Sequence, residues 1–439
     1  MKRGACAAAA LAAVFVGSLV APVAAGPDSE VASAFDLDDP FDIHLSFDYR
    51  FTSRRSSIRR ELAGGPGADP DQALPIVDDL VFSGARHEMA PRIETGVFTD
   101  LALTLELPVV VRESRRLEFA DSVDAAGSTT VDDNLVPETG IDAQNPGAIE
   151  SEAAFRGRNR AGLDQVHLGL VWAPLNQARD SSKPTWKAGA EVRLSIGQVM
   201  AFDRNAIAAE NGVSRGVHEL KLYTSMARRT GWAEPFFELW WLGAIGARRG
   251  APLDDLERDF GGARNSPQQR AGGRFGLEAI AWERGARRVG AQLGAEIEML
   301  FEGRAYTDMW EVFAYAGHAP SRGPLSLDAD PVEEGQQPRS HPGASNVENY
   351  MTVAAQAGIE AHVTDQLRVD LGFRLGWEQS HLISFADAGQ DGDDENDVVD
   401  PGTEEVNPLH VPLVDTPGHR YRVDDVSIYA LTLGVRMLF

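Results

Sequence analysis

The C-terminal segment alternates between apolar and other residues up to its last position. One face carries only apolar side chains: Tyr429, Leu431, Leu433, Val435, Met437 and Phe439. The other face includes Ala430, Thr432, Gly434 and Arg436. Successive side chains of a strand point to opposite faces, so this period of two predicts a β-strand with one apolar face. Chain ends usually fray, so a soluble strand rarely keeps so clean an apolar face to its terminus.

The same alternation recurs along the chain and predicts about twelve strands. They span residues 42–53, 82–97, 101–112, 164–173, 185–197, 216–228, 232–246, 272–283, 287–304, 348–363, 366–385 and 421–439. A strand of about ten residues crosses a bilayer, so these segments are long enough. The tryptophans are expected mostly near strand ends, as interfacial aromatic girdles: Trp172, Trp186, Trp232, Trp240, Trp241, Trp282, Trp310 and Trp377.

The connections between these strands alternate between short and long. Short turns are expected at 98–100, 229–231, 283–287 and 364–366, with a somewhat longer one at 174–184. Long polar loops are expected at 54–80, 113–163, 198–215, 247–271, 305–347 and 386–420. Outer-membrane barrels have short periplasmic turns and long external loops. The pattern therefore predicts an all-β, transmembrane, antiparallel up-and-down β-barrel of about twelve strands with both termini in the periplasm, rather than a soluble sandwich.

The N-terminus predicts export. Residues 1–25 combine a charged start, an apolar stretch and a small-residue cleavage site, which indicates a Sec signal peptide. A short periplasmic segment, 26–41, and the barrel, 42–439, are expected to follow. The single cysteine, Cys6, lies within the signal peptide, so no disulfide or cysteine-based metal site is expected in the mature chain.

The formal charge of −25 argues against nucleic acid as a partner. The most acidic stretch, 387–400, does not have the ligand spacing of an EF-hand loop. It is interpreted as a solvated loop, with loose binding of divalent cations as the alternative. Residues 113–160 are rich in Ala, Gly, Ser, Asp and Asn, and we expect them to be flexible.

Four phrases resemble a known family of barrels. They are DLALTLELP at 100–108, AGLDQVHLGLVW at 161–172, KPTWKAGAEVRL at 183–194 and GVHELKL at 216–222. Together they resemble the barrel family named for the meta-pathway of phenol degradation and related putative transporters. Gln165 interrupts the Gly-Asp order of that family, and Ser195-Ile-Gly-Gln198 replaces its usual Pro-Thr-Gly. The resemblance implies an outer-membrane barrel involved in transport, and membership of that class implies that Phe439 is the assembly signal read by the barrel-assembly machinery.

The polar faces of the strands predict an ionisable lumen. The expected lumen-lining residues are Asp48, Arg50, Arg92, Glu94, Glu106, Glu191, Arg193, Glu219, Lys221, Glu238, Arg274, Glu278, Glu296, Glu298, Arg368, Asp370, Arg374 and Arg436. Acid–base pairs across the lumen would form a polar plug that closes the barrel. Segregated acids and bases would leave a water-filled pore with a weak preference for cations, and long loops folded inward would constrict it.

Three functions remain open at this point. The first is passage of a small solute across the outer membrane, and the second is a closed structural or adhesion barrel that acts through its acidic loops. The third is an outer-membrane hydrolase, for which His44 and Ser46 share one strand face. No third catalytic group is placed by the sequence, so no catalytic, cofactor or metal residues are predicted. Lipid of the outer membrane is the expected surrounding.

Overall fold

The computed structural model describes Ala32 and residues 41–63, 73–207, 212–254, 265–328, 335–392, 396 and 398–439. The signal-peptide prediction and nearly all of the short N-terminal segment fall outside these residues. Twelve long strands form one antiparallel sheet: β1 Ile43–Glu61, β2 Ile76–Phe98, β3 in two parts Leu101–Glu106 and Val109–Phe119, β4 Val166–Leu175, β5 Thr185–Leu194, β6 Val217–Ala227, β7 Ala233–Ala247, β8 Arg270–Arg284, β9 Arg287–Leu300, β10 Tyr350–His362, β11 Leu367–Glu378 and β12 Tyr421–Leu438. Each strand pairs with the next, and β12 also pairs with β1, which closes the sheet into a barrel. The predicted twelve-stranded barrel is confirmed.

The closing pair fixes which face of the barrel is apolar. Leu433 lies opposite Tyr49 on β1 and opposite Leu371 on β11. The apolar residues of β12 that were assigned to the outer face, from Tyr429 to Met437, are between 36 and 48 % exposed. Outward apolar side chains continue on the neighbouring strands, for example Phe47 and Phe373. The barrel therefore carries an apolar outer belt, as strands that contact lipid require.

The short turns lie at the end of the barrel where the closing strands meet. Ile43 and Phe439 exchange two backbone hydrogen bonds of 2.8 Å. At the same end, the turn between β2 and β3 places Asp100 at φ 58°, and the turns after β6 and β8 place Gly231 at φ 62° and Gly285 at φ 60°. Glycine reaches this left-handed region without steric strain, so it suits tight turns of this kind. We call this the turn end and the opposite one the loop end.

Three strands extend further than predicted. Residues 54–61 and 76–80 were expected to be loop, but they continue β1 and β2 as a paired ladder, and residues 113–119 of another expected loop continue β3. The strand β3 is broken where Pro108 removes a backbone donor, and the amide of Leu107 donates instead to the carbonyl of Pro91 at 3.0 Å. Residues 160–163 then replace β4 as the partner of the second part of β3.

Three long loops fold into the loop end of the barrel. They carry the short helices α1 Thr129–Asp132, α2 Trp310–Ala316 and α3 Pro412–Asp415. Buried residues of these loops, including Leu135, Phe155 and Phe313, form one apolar cluster with inward side chains of the barrel wall. The expectation that residues 113–160 are flexible is wrong, because this stretch supplies strand β3, helix α1 and part of that cluster. Trp310, assigned to an interfacial girdle, is instead fully buried in helix α2 at the loop end.

Candidate functional site

The middle of the barrel is lined by ion pairs that start on β1 and β2. The guanidinium of Arg50 lies 3.1 Å from the carboxylate of Asp48 and 3.2 Å from that of Glu106. The guanidinium of Arg92 lies 3.2 Å from Glu94 and 3.6 Å from the second oxygen of Glu106. Glu106 on β3 is therefore shared by two arginines from neighbouring strands, which holds this carboxylate and both cations against the wall.

A histidine continues this network onto β4 and β5. The Nδ1 atom of His167 lies 3.9 Å from Glu106 and 3.8 Å from Glu191. Glu191 in turn accepts a hydrogen bond from Arg193 at 2.8 Å. His167 thus lies between two carboxylates on the strands that flank its own, and the row of ionisable groups follows the curve of the wall.

On β6 to β8 the charged groups are sparser, and an aromatic ring lies among them. The carboxylate of Glu238 is 3.7 Å from Lys221 and 3.5 Å from Arg274. The ammonium of Lys221 also lies 5.0 Å from the centre of the Tyr223 ring. A Cβ atom at Gly189 would come within 2.2 Å of that ring, so glycine at this position makes room for the tyrosine to lie across β5.

On β9 to β12, charged and polar side chains again pair between nearby strands. Glu296 on β9 accepts hydrogen bonds from Gln356 on β10 at 2.5 Å and from Arg374 on β11 at 3.3 Å. Next to it, Gly434 on β12 lies between Asp48 and Asp370 in the register. A Cβ atom there would be 2.3 Å from the Asp370 carboxylate, so the absence of a side chain accommodates this acid.

We call these mid-barrel groups the lumen network: Asp48, Arg50, Arg92, Glu94, Glu106, His167, Glu191, Arg193, Lys221, Glu238, Arg274, Glu296 and Arg374. Its named pairs join strands no more than two apart, so they follow the wall instead of bridging opposite sides. Several of its side chains keep substantial water access, such as Arg50 at 37 % and Arg274 at 30 %. The middle of the barrel is therefore accessible to water, and the pairs named here neither separate acids from bases nor join opposite sides of the lumen.

Both ends of the lumen are tighter than the middle. At the turn end, Arg288 and Glu278 form an ion pair in which the side chains are 1 and 5 % exposed. At the loop end, Arg215 lies 2.6 Å from Glu219, and their side chains are 29 and 3 % exposed. The carboxylate of each pair is therefore withdrawn from water against an arginine, and at the turn end the arginine is withdrawn as well.

The other sequence-predicted lumen residues occupy inward positions near these ends. Glu298 lies 3.8 Å from Arg270. Arg368 is buried and lies opposite Arg436 in the β11–β12 register. Arg436 also lies opposite Ser46, and His44, two residues before it, is buried. The His44–Ser46 pair is placed at the turn end of β1.

The loop end is closed by an apolar plug. We define the loop plug as the described segments 128–155, 309–327, 341–344, 383–392 and 398–415, which pack inside the barrel mouth. Its buried residues contact inward side chains of the wall, among them Ile58 on β1, Phe82 on β2 and Tyr421 on β12. Tyr421 also hydrogen-bonds Thr130 of the plug at 2.9 Å. The plug covers the wet segment with a packed core of the kind found inside a globular domain.

Ion pairs with buried carboxylates fasten helix α2 to the wall. Arg54 on β1 lies 3.2 Å from Asp308, just before α2, and 2.5 Å from Glu378 on β11. Within α2, Glu311 lies 3.0 Å from Arg160, and these side chains are 5 and 2 % exposed. Removing one partner of such a pair leaves an uncompensated buried charge, so each pair fixes the position of the helix.

Burial also changes the titration of two groups in the plug. His341 is fully surrounded, and burial together with the charge of Arg304 lowers its pKa to about 3. Burial raises the pKa of Asp415 to about 6, although its carboxylate accepts hydrogen bonds from the amides of Ala386 at 3.1 Å and Val411 at 2.8 Å. Neutral imidazole at position 341 is therefore part of the closed plug at neutral pH.

Sequence reasoning missed several residues of this region. Glu88 lies 3.4 Å from Arg50. It is four residues from Arg92 on β2 and therefore faces the same side of the strand, but the intervening Pro91 weakened the alternating pattern. Arg54 and His167 lie on inward positions that alternation alone could have identified. The plug gave no comparable signal, because its helix α2 is only seven residues long.

The described residues contain no group of three or more His, Cys, Asp or Glu side chains placed to hold a metal ion. Part of the acidic stretch 387–400, including Asp393, Asp394, Glu395 and Asp397, lies outside the described residues, so loose cation binding there stays a prediction. In the same described ranges, no helix is long and apolar enough to cross a membrane.

No protein-family model and no curated protein sequence matches this chain. Several solved structures are similar in fold. An outer membrane channel from Pseudomonas putida F1 is 12 % identical with a TM-score of 0.39, over 95 % of this chain and 100 % of that one. A FadL homologue from Pseudomonas aeruginosa is 8 % identical with a TM-score of 0.32, over 94 and 96 % of the two chains. The CymD monoaromatic hydrocarbon channel is 10 % identical with a TM-score of 0.33, over 93 and 91 %.

With TM-scores below 0.5, these likenesses carry no argument about what this chain does. The resemblance to the phenol meta-pathway barrels has no matching family model and stays a hypothesis.

Proposed function

We propose that this chain is an outer-membrane channel for small solutes, with a wet lumen that is closed at its loop end by the loop plug. The observation that carries the proposal is the position of the ion pairs. They line the wall in the middle of the barrel and keep 10 to 37 % of their side-chain surface in contact with water, as for Glu106 and Arg50. A barrel that served only as a rigid body would be expected to fill this level with packed side chains.

The outer-membrane location is supported by the closed sheet and its apolar belt, because a β-sheet satisfies every backbone group in lipid only when it closes into a barrel. The long loops would then face the outside and both termini the periplasm. Phe439 remains the proposed signal for the barrel-assembly machinery.

The solute is expected to be small and polar, and cations or neutral molecules should pass more readily than anions. The lumen network mixes acids and bases, so the preference should be modest, whereas the acidic loops concentrate cations within a Debye length of about 8 Å. Reversal potentials across a salt gradient measure this preference. An anion-selective reversal would contradict the charge assignment.

Adjacent positions on β12 allow a direct test of the conducting path. Thr432 faces the lumen, opposite Arg50, and Leu433 faces outward with 47 % exposure. Cys6 is the only native cysteine, so an introduced thiol in the mature chain is unique. A charged, water-soluble thiol reagent should react with Thr432→Cys and reduce the current through planar bilayers, while Leu433→Cys should show no change.

Current that is insensitive to modification at position 432 would mean that ions do not pass through this lumen. Absence of any current, both from refolded wild-type protein and from a variant with a loosened plug, would favour the second candidate. That candidate is a closed barrel acting through its loops, and the packed core of the plug is the observation in its favour.

A further inference from the structure

The outer surface of β1 to β3 changes from apolar to basic just above the belt. Tyr429, the last apolar outward residue of β12, lies opposite Ser53. The next outward step toward the loop end, about 7 Å along the strands, reaches Arg55. Arg55 begins a row of outward positions that runs across neighbouring strands. It pairs with Ser83 on β2, Ser83 pairs with Arg116 on β3, and Arg116 pairs with Arg156 in the following loop.

A fourth cation lies one step lower. Arg112 lies opposite His87, which lies opposite the belt residue Phe51. The ring of His87 accepts or donates a hydrogen bond of 2.7 Å to the Tyr49 hydroxyl and lies 4.9 Å from the ring of Phe51. We call Arg55, Arg112, Arg116 and Arg156 the arginine patch. It rests on an ordered aromatic floor at the upper edge of the belt.

The charge of the patch is incompletely balanced. In the described ranges of the chain, Arg55 and Arg112 are exposed and form no ion pair with a carboxylate. Arg116 lies 2.8 Å from Glu118, and Arg156 lies 3.3 Å from Asp142, in pairs whose arginines are 37 and 45 % exposed. Exposed pairs of this kind contribute little stability, so their arginines can exchange partners readily.

The basic strip is narrow and confined to one side. Above it, Arg59 is surrounded by Asp78, Asp424 and Asp425, so the surface turns acidic again. On the opposite side of the barrel, the outward positions above the belt are Phe301, Asn349 and Gln379, all of them uncharged. The cations therefore lie at two adjacent levels of the barrel, directly above one sector of the belt.

We propose that the arginine patch binds the phosphate groups of a phosphorylated lipid of the outer leaflet, whose acyl chains lie along the belt below. Guanidinium groups match phosphate oxygens with paired hydrogen bonds, and continuity with the apolar belt selects an amphiphile over a free anion. The patch has four arginines and two paired carboxylates, Glu118 and Asp142, so it is locally positive although the chain has a formal charge of −25. This positive charge complements the phosphate groups. The proposal rests on the outer-membrane location given under the proposed function.

The test compares matched sets of exposed arginines. The patch variant is Arg55→Gln/Arg112→Gln/Arg116→Gln. The control is Arg228→Gln/Arg284→Gln/Arg287→Gln, which removes three exposed arginines at the turn end. Each refolded protein, in neutral detergent, is titrated with purified lipopolysaccharide and with its dephosphorylated form, and binding is read from the shift in thermal unfolding. Heat-modifiable migration on gels verifies folding, and the single variant Arg55→Gln is measured in parallel.

Wild type and the control should bind the phosphorylated lipid equally, in a salt-dependent manner. The patch variant should bind at least about tenfold more weakly, and Arg55→Gln should fall between them. Equal binding by the patch variant and wild type, or equal binding of the dephosphorylated lipid, would overturn the proposal. Conductance is measured separately in phosphatidylcholine bilayers, so failure of lipid binding can be distinguished from failure of the channel function.

Discussion

Replacing Trp310 with alanine should loosen the loop plug and increase conductance. The indole is fully buried, packs edge-on against Tyr306 at a centroid distance of 5.1 Å, and lies 4.8 Å from the guanidinium of Arg160. Truncating a buried tryptophan to alanine costs about 3–5 kcal/mol, including its packing contacts. A loss of about 4 kcal/mol corresponds to a roughly thousandfold larger equilibrium constant for plug opening.

The assay pairs bilayer recordings with limited proteolysis of the loops. Trp377→Ala is the matched control, because Trp377 faces outward and is 45 % exposed. We expect faster loop cleavage and a higher mean conductance for Trp310→Ala, and values close to wild type for the control. Faster cleavage with unchanged conductance would refute the plug as the barrier to ions. Unchanged cleavage would refute the packing argument itself.

Three further outcomes are expected. On intact cells, an impermeant maleimide should label Ile149→Cys in the loop after β3 but not Asp365→Cys in a short turn, and the reverse would refute the orientation. Leu433→Arg should lower the free energy of unfolding by roughly 2–4 kcal/mol if the residue lies at the bilayer midplane, whereas Thr432→Arg should be far milder; equal effects would contradict their facing. The native state resists protonation of His341, whose pKa is lowered to about 3, so the contribution of His341 to plug stability should be intact above pH 6.5 and fall by about 2 kcal/mol by pH 5. Asp415, whose pKa is raised to about 6, partly offsets this loss because the native state binds its proton more readily. Amide-exchange protection of the loops measures the net effect, and His341→Gln should remove the loss on acidification.

The barrel was predictable because lipid imposes a strong pattern. Outward positions within the bilayer must be apolar, so Leu433 and its neighbours on β12 show a strict period of two. The extensions of β1 and β2 were missed because the pattern inverts above the belt. There, Ile58 and Leu80 face inward against the plug, whereas outward positions such as Arg55 and Arg59 meet water.

The plug could not be found from the sequence for a different reason. Its core combines residues from three loops, such as Leu135, Phe313 and Val414, with side chains of the wall. Each loop alone is polar on average and contains only short helices, and no local periodicity reports contacts between segments this far apart. The lumen network was partly predictable. The alternation of side chains along each strand identifies the inward positions, but it does not identify which acidic and basic side chains form pairs.

Two ion pairs across the seam have a consequence for assembly. Arg54, which also holds Asp308 before helix α2, contacts Glu378, and Glu61 lies 2.8 Å from Arg420. Contacts between residues separated by more than 300 positions form late, because the loop-closure entropy must be overcome first. Both pairs join β1 to residues on or next to β11 and β12, across the seam that closes the sheet. The plug can therefore reach its final packing only after the seam has formed. An unfinished barrel would leave the mouth open and expose its loops to proteases. Only a completed barrel becomes sealed.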